Sequence, residues 1–344
     1  MQEASTEHKS DRRPPFRGRM LVRSRQSGRG YARRIQPWLT GAALSTLALG
    51  VAGGISLRGA DPASDAMQQV EEVAPLVELP LEVNARVEKW MRRFTTNEKP
   101  TFEAFLAREG IYADMIRAKL RERGMPEDLL YLAMIESGFS ARATSRLSAA
   151  GVWQFMTPTA EEFGLRIDQW VDERRDPIKA TDAALGYLQW LHARYGSWYL
   201  AAAAYNAGPS RVDRALERHA HGRRGDETLY WEIIDHLPRE TREYVPKILA
   251  ATTLARQAEL YGFRVEPAEP YRYDRVWVPG GTSLVRLARA LALDVVLLRD
   301  LNPHLVRGVT PPASSFGLRV PEGTSEMVIV ALGLGGGIVS RATD

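Results

Sequence analysis

A carboxylate at the end of an apolar helix is the feature of this 344-residue chain with the clearest chemistry. Leu129, Leu130, Leu132, Ala133, Met134 and Ile135 make almost every face of that helix apolar, which predicts that it is buried. Glu136 arrives at its C-terminal end, followed by Ser137 and Gly138. Desolvation and the negative end of the helix dipole both disfavour the ionised carboxylate, so its pKa is expected to rise. A carboxylic acid kept protonated near neutral pH is what a general acid needs to protonate a leaving glycosidic oxygen. A Glu in the last turn of a helix is more often simply solvated or salt-bridged, so the reading depends on what accompanies it.

The accompanying residues admit two readings each. Gln154 and Asn206 offer donors and acceptors suited to sugar hydroxyls and N-acetyl groups, or else are amides that tie loops together. Trp153, Phe155 and Met156 form either the floor under a pyranose ring or part of the core. A glycoside hydrolase usually pairs its acid with a second carboxylate about 5 Å away or about 6.5–9.5 Å away. Asp168, Asp172, Glu173 and Asp176 follow nearest in sequence, yet helix-cap and salt-bridge roles suit them better, and no partner carboxylate is assigned to Glu136. His219 and His221 lie in a Gly- and Arg-rich stretch with no third ligand, so no metal site is expected.

Helices must position these groups. Pro100 and Thr101 predict a helix that Gly110 stops, and a second follows with Ile116 and Leu120 one turn apart, ending at Gly124. Pro126, Glu127 and Asp128 begin the helix that carries Glu136. Ala184, Leu188, Leu191 and Tyr195 share one face of another, with Gly196 as its stop. No convincing β alternation precedes residue 260, so the fold class is mainly α. Beyond a Pro- and Glu-marked boundary at 265–270, a small α+β module is expected over residues 270–322. Its strands are read at Tyr271–Pro279 and Gly317–Pro321, and its helices at Ser283–Ala292 and Val295–Leu301. Met327–Val339 reads as a last strand within a loose tail, residues 323–344.

The N-terminus is organised for export. Residues 1–34 hold ten Lys and Arg against three acids, a net of +7, so that the overall +4 leaves the other 310 residues at −3. A phosphate-binding face spread over the folded body is therefore absent, and no nucleic-acid partner is expected. Residues 35–57 are free of charge and long enough, at about 35 Å as a helix, to cross a bilayer as a signal sequence or anchor. Arginines before it and acids after it place the N-terminus in the cytoplasm and the body outside. Residues 58–84 read as a linker, and 85–265 as the catalytic body. With no cysteine, disulfides, thiolate metal sites, a Cys nucleophile and a lipoprotein anchor are excluded.

Four blocks in this body resemble the lytic transglycosylase family, with its goose-type lysozyme-like catalytic domain, and most closely that family's membrane-bound D type. They are Glu136-Ser137-Gly138-Phe139 with Ser145 nine residues after the Glu, Gly151 to Ala160 (GVWQFMTPTA), Ala204 to Gly208 (AYNAG), and Glu240 to Lys247 (ETREYVPK). The second departs from the family pattern by Thr157 standing before Pro158. The C-terminal stretch, with Val278 to Leu284, Leu298 to Pro303 and Leu318 to Pro321, resembles a degenerate lysin motif, in which Gly281 replaces the usual Asp and Ser283 is extra.

The resemblance implies a lysozyme-like α-helical fold followed by a lysin-motif-like module, in the periplasm or anchored in the cell envelope. Glu136 would be the catalytic acid, then base. Ser137, Ser145, Gln154, Phe155, Met156, Tyr205, Asn206 and Tyr244 would contact the substrate, with the Tyr244 hydroxyl near the glycosidic oxygen or the catalytic carboxyl. The partner would be peptidoglycan glycan strands, with the membrane held through residues 35–57 if uncleaved; no cofactor and no protein partner is implied. In that family the C6 hydroxyl of N-acetylmuramic acid attacks its own anomeric carbon, so a second carboxylate is not required. A hydrolytic goose-type muramidase and a non-catalytic wall-binding scaffold are the competing readings.

Overall fold

A computed structural model describes residues 78–334 and 339–341; the basic segment, Ile35–Leu57 and most of the linker lie outside the described residues. Asn84 caps α1 (Ala85–Thr95) by accepting from the Arg86 and Val87 amides. Then come α2 (Lys99–Glu122), a 3-10 turn at Glu127–Leu129 and α3 (Leu130–Ser137), which ends at Gly138 in the left-handed conformation. After α4 (Thr157–Glu162), α5 (Pro177–Tyr195) runs from its Asp176 cap to Gly196, as its apolar spacing predicts. The helical body closes with α6 (Trp198–Ala207), α7 (Pro209–His219), α8 (Thr228–Ile233) and α9 (Arg239–Arg256).

The core is built around α3, α6 and α9. Leu130 to Met134 of α3 are all buried, and α6 buries Trp198 to Ala204 with a run of four alanines. Small side chains there let α5 and α9 both pack closely on α6. Pro246 sits inside α9 and has no amide to offer the carbonyl of Arg242. The buried Tyr230 hydroxyl takes that role, donating to the carbonyls of Thr241 (3.0 Å) and Arg242 (3.3 Å). The helix therefore continues through the proline with its freed carbonyl satisfied.

Gly110 does not stop a helix: α2 runs unbroken through it for 24 residues. One interior glycine costs only about 1 kcal/mol against alanine, which packing readily outweighs. Its function is close approach. A Cβ at Gly110 would lie 2.6 Å from the Ala268 carbonyl oxygen and 2.9 Å from the Pro267 side chain. The returning strand of chain binds α2 there, with the Ala268 amide donating to Ala107 O and the Tyr271 amide to Ile111 O, both at 2.9 Å.

The C-terminal module holds β1 (Asp274–Val278), α10 (Leu284–Ala290), α11 (Val295–Leu301), β2 (Phe316–Val320), α12 (Ser325–Ala331) and β3 (Val339–Arg341). The sheet order is β2-β1-β3, antiparallel, with Val276 opposite Leu318 on one side and Val339 on the other. The additional Ser283 caps α10 by accepting from the Arg286 amide. The strand expected from Met327 is instead α12: Ser325 and Val328, three apart, are its buried positions, a helical rather than alternating pattern. Strand geometry begins only at Val339.

The module is docked firmly on the helical body. Val171, from the body, is part of the module's own apolar core. The Asp172 amide donates to His304 O (2.9 Å) and the Val306 amide to Trp170 O (3.2 Å). Arg319 on β2 reaches back to both carboxylate oxygens of Asp176 at 2.9 and 2.8 Å, and both side chains are almost fully buried.

Candidate active site

Glu136 ends α3 and faces α9. The Tyr244 hydroxyl donates to its Oε1 at 2.6 Å. Residue 136 as a whole is partly exposed, yet protein surrounds its carboxyl closely enough for desolvation to push the pKa up to about 7. The hydrogen bond from Tyr244 pulls the other way; the negative charge of Glu240 adds to the rise and the positive charge of Lys247 opposes it. The Tyr244 and Tyr205 hydroxyls are held well above their ordinary range, chiefly by burial and then by the Glu136 charge, so both stay protonated.

Glu240, Tyr244 and Lys247 are spaced four and three residues apart, so α9 presents all three on one side. Glu240 and Lys247 open and close the fourth sequence block, and sequence reasoning singled out neither. Their helical spacing from Tyr244 was the signal that would have found them. Glu240 is also a carboxylate whose charge acts on Glu136, to which the sequence assigns no partner carboxylate.

A cleft of about 260 Å³ is lined by Gln154, Phe155, Met156, Tyr205 and Asn206, with Tyr187 and Arg211. Five of the anticipated residues are thus brought together. Gln154 has a positive φ of 49° and its amide nitrogen donates to the Gly151 carbonyl at 2.8 Å. Gly151 is required there: its φ is 83° and a Cβ would lie 1.7 Å from the Arg174 carbonyl oxygen. Asn206 is held by α9, accepting from the Thr241 hydroxyl at 2.7 Å and donating to Glu240 at 3.4 Å. The Tyr205 hydroxyl donates to Trp153 O at 2.9 Å, while its ring lies 6.2 Å from Phe155 and 5.3 Å from Tyr187. Met156 is exposed at the cleft, just before α4, where Thr157 and Pro158 form the first turn.

Trp153 is core, fully buried with its indole donating to Thr181 at 2.9 Å. The Ser137 hydroxyl donates to Val152 O at 2.7 Å and accepts from the Ser140 amide at 3.0 Å, joining α3 to the second block. Ser145 is exposed and accepts from the Leu147 and Ala149 amides, shaping the loop that leaves the site. Asp168, Asp172, Glu173 and Asp176 are committed to backbone amides and to Arg166, Arg174, Lys179 and Arg319. Among the described residues no cluster of three or more His, Cys, Asp or Glu is arranged to hold a metal ion.

Residues 114–226 match the family model described as the Transglycosylase SLT domain, and residues 272–334 match the lytic transglycosylase MltD, LysM-like domain. The chain is 33% identical over 233 residues to the membrane-bound lytic murein transglycosylase D of Escherichia coli strain K12, covering 67% of this chain and 50% of that protein. It is 31% identical over 157 residues to the peptidoglycan transglycosylase gp16 of Escherichia phage T7, covering 44% of this chain and 11% of that one. Against the crystal structure of the 70 kDa soluble lytic transglycosylase of Escherichia coli the TM-score is 0.35 at 18% identity, over 54% of this chain and 38% of that one. The chain thus spans half the length of the curated relative from Escherichia coli.

Proposed function

We propose, for a chain that belongs to the lytic transglycosylase family through its SLT domain, that it cleaves the bond between N-acetylmuramic acid and N-acetylglucosamine in peptidoglycan without consuming water. The observation that carries the reading is the Glu136 carboxyl at the end of the buried helix α3, surrounded by protein that pushes its pKa up, with its Oε1 accepting from the Tyr244 hydroxyl at 2.6 Å. In its protonated form, which the raised pKa keeps populated up to about pH 7, Glu136 gives its proton to the leaving N-acetylglucosamine oxygen as the bond to the anomeric carbon breaks. The resulting carboxylate is stabilised by the Tyr244 hydroxyl and by the Lys247 charge. It then takes the C6 hydroxyl proton as that oxygen closes on the anomeric carbon, forming the 1,6-anhydro ring and restoring the acid. The substrate's own N-acetyl group stabilises the positive charge that develops between the two steps.

The cleft of Gln154, Phe155, Met156, Tyr205 and Asn206 offers amide groups and ring faces to sugar residues of the strand. A relative named as membrane-bound and a charge-free segment at residues 35–57 together support a place in the cell envelope. Glu136→Gln tests the assignment, because the amide keeps the shape and cannot supply a proton. Turnover of purified peptidoglycan is expected to fall about 10²–10⁴-fold with the thermal melt unchanged. Near-normal turnover would move the acid elsewhere.

A further inference from the structure

The docked module creates a second pocket, of about 420 Å³, that the glycan chemistry does not use. Four arginines line it: Arg142 and Arg175 from the helical body, Arg299 and Arg307 from the module. Arg142 pairs with Asp300 at 2.7 Å, and Arg175 donates to Arg142 O and the Thr144 hydroxyl, with Asp172 at 3.6 Å. Arg307 lies over the Trp170 ring at 4.8 Å with no carboxylate partner, and Arg299 has no charged partner among the described residues. Both are exposed. The structure therefore gathers four guanidinium groups around one cavity, and the two contributed by the module have no carboxylate partner among the described residues.

We propose that this pocket binds carboxylates of the peptide stems carried by the glycan substrate. The proposal rests on the peptidoglycan reading above, which supplies an acidic peptide on the strand being cut. Arginine forks match carboxylates in bidentate geometry, and a cavity of this size takes a short peptide segment. Position supports it: Arg142 follows Glu136 by six residues, on the loop that leaves the catalytic helix. Because two arginines come from each part, the site exists only while the module is docked, so the module contributes to substrate selection through its seat on the body.

The test uses the full-length chain in detergent, titrated with the tripeptide L-Ala-γ-D-Glu-meso-diaminopimelate. Saturable binding is expected, weakened at least about tenfold by amidating the ligand's carboxylates and by the double variant Arg299→Ala, Arg307→Ala. The double variant should also raise KM on intact peptidoglycan while leaving turnover of peptide-stripped glycan unchanged. No binding, binding indifferent to amidation or to the double variant, or inorganic phosphate binding as tightly as the tripeptide would overturn the proposal. Binding is read without turnover, so a chain that cut no glycan would refute the proposed activity and leave this arm standing.

Discussion

Glu136 is held at the balance of opposing influences, and that balance sets a pH dependence. With its pKa raised to about 7, the carboxyl is the proton donor below that pH and loses the role above it. Turnover should therefore fall as pH rises through about 7. Glu240 contributes to the rise, so Glu240→Gln should lower the pKa of Glu136 and move this limb of the kcat profile to lower pH. A limb that stays in place while activity disappears would instead give Glu240 a direct catalytic part. Much of this was legible in the sequence: an apolar helix ending in Glu forecasts the desolvation that the structure shows as the largest cause. The electrostatic partners were less so, because reading α9 for one tyrosine hid the face on which Glu240 and Lys247 flank it.

The elements were legible where apolar spacing and caps agree, as in α5 between Asp176 and Gly196. They were misread where a residue serves a neighbour distant in sequence. Gly110 marks a place where the chain returns and presses its backbone on α2, which local punctuation cannot reveal. Gly110→Ala inverts the usual expectation. In an exposed helix it would stabilise by about 1 kcal/mol. Here the added methyl meets the Ala268 carbonyl and Pro267, so we expect a loss of about 1–3 kcal/mol, read by urea unfolding. A stabilised variant would show that the 267–271 segment yields freely. Likewise the α12 stretch is strand-like in its apolar, Gly-rich composition, and only the three-residue spacing of buried Ser325 and Val328 marks it as a helix.

At the scale of the molecule, the module is part of the folded body rather than a pendant attachment. Asp176 shows how: it caps α5 through the Ile178 and Lys179 amides and pairs with Arg319 of β2. The Arg319 charge helps hold the Asp176 carboxyl below its ordinary range despite burial. Arg319→Ala would leave that buried carboxylate with only its two cap amides and the His304 imidazole, whose Nδ1 lies 3.4 Å away, at an expected loss of about 3 kcal/mol. Urea unfolding of the full chain checks this, and an unchanged midpoint would mean the Asp176–Arg319 pair contributes nothing to stability. Sequence could not reveal the docking, since Asp176 and Arg319 are far apart in the chain and each has an ordinary local explanation.

The identity of the attacking oxygen tests the account most directly. Wild-type chain acting on purified peptidoglycan in heavy-oxygen water should release muropeptides ending in 1,6-anhydro-N-acetylmuramic acid, each lighter by one water than the hydrolytic product and free of the label. Products with free reducing ends carrying heavy oxygen would contradict it, making water the nucleophile and Glu240 the first carboxylate to examine as its base.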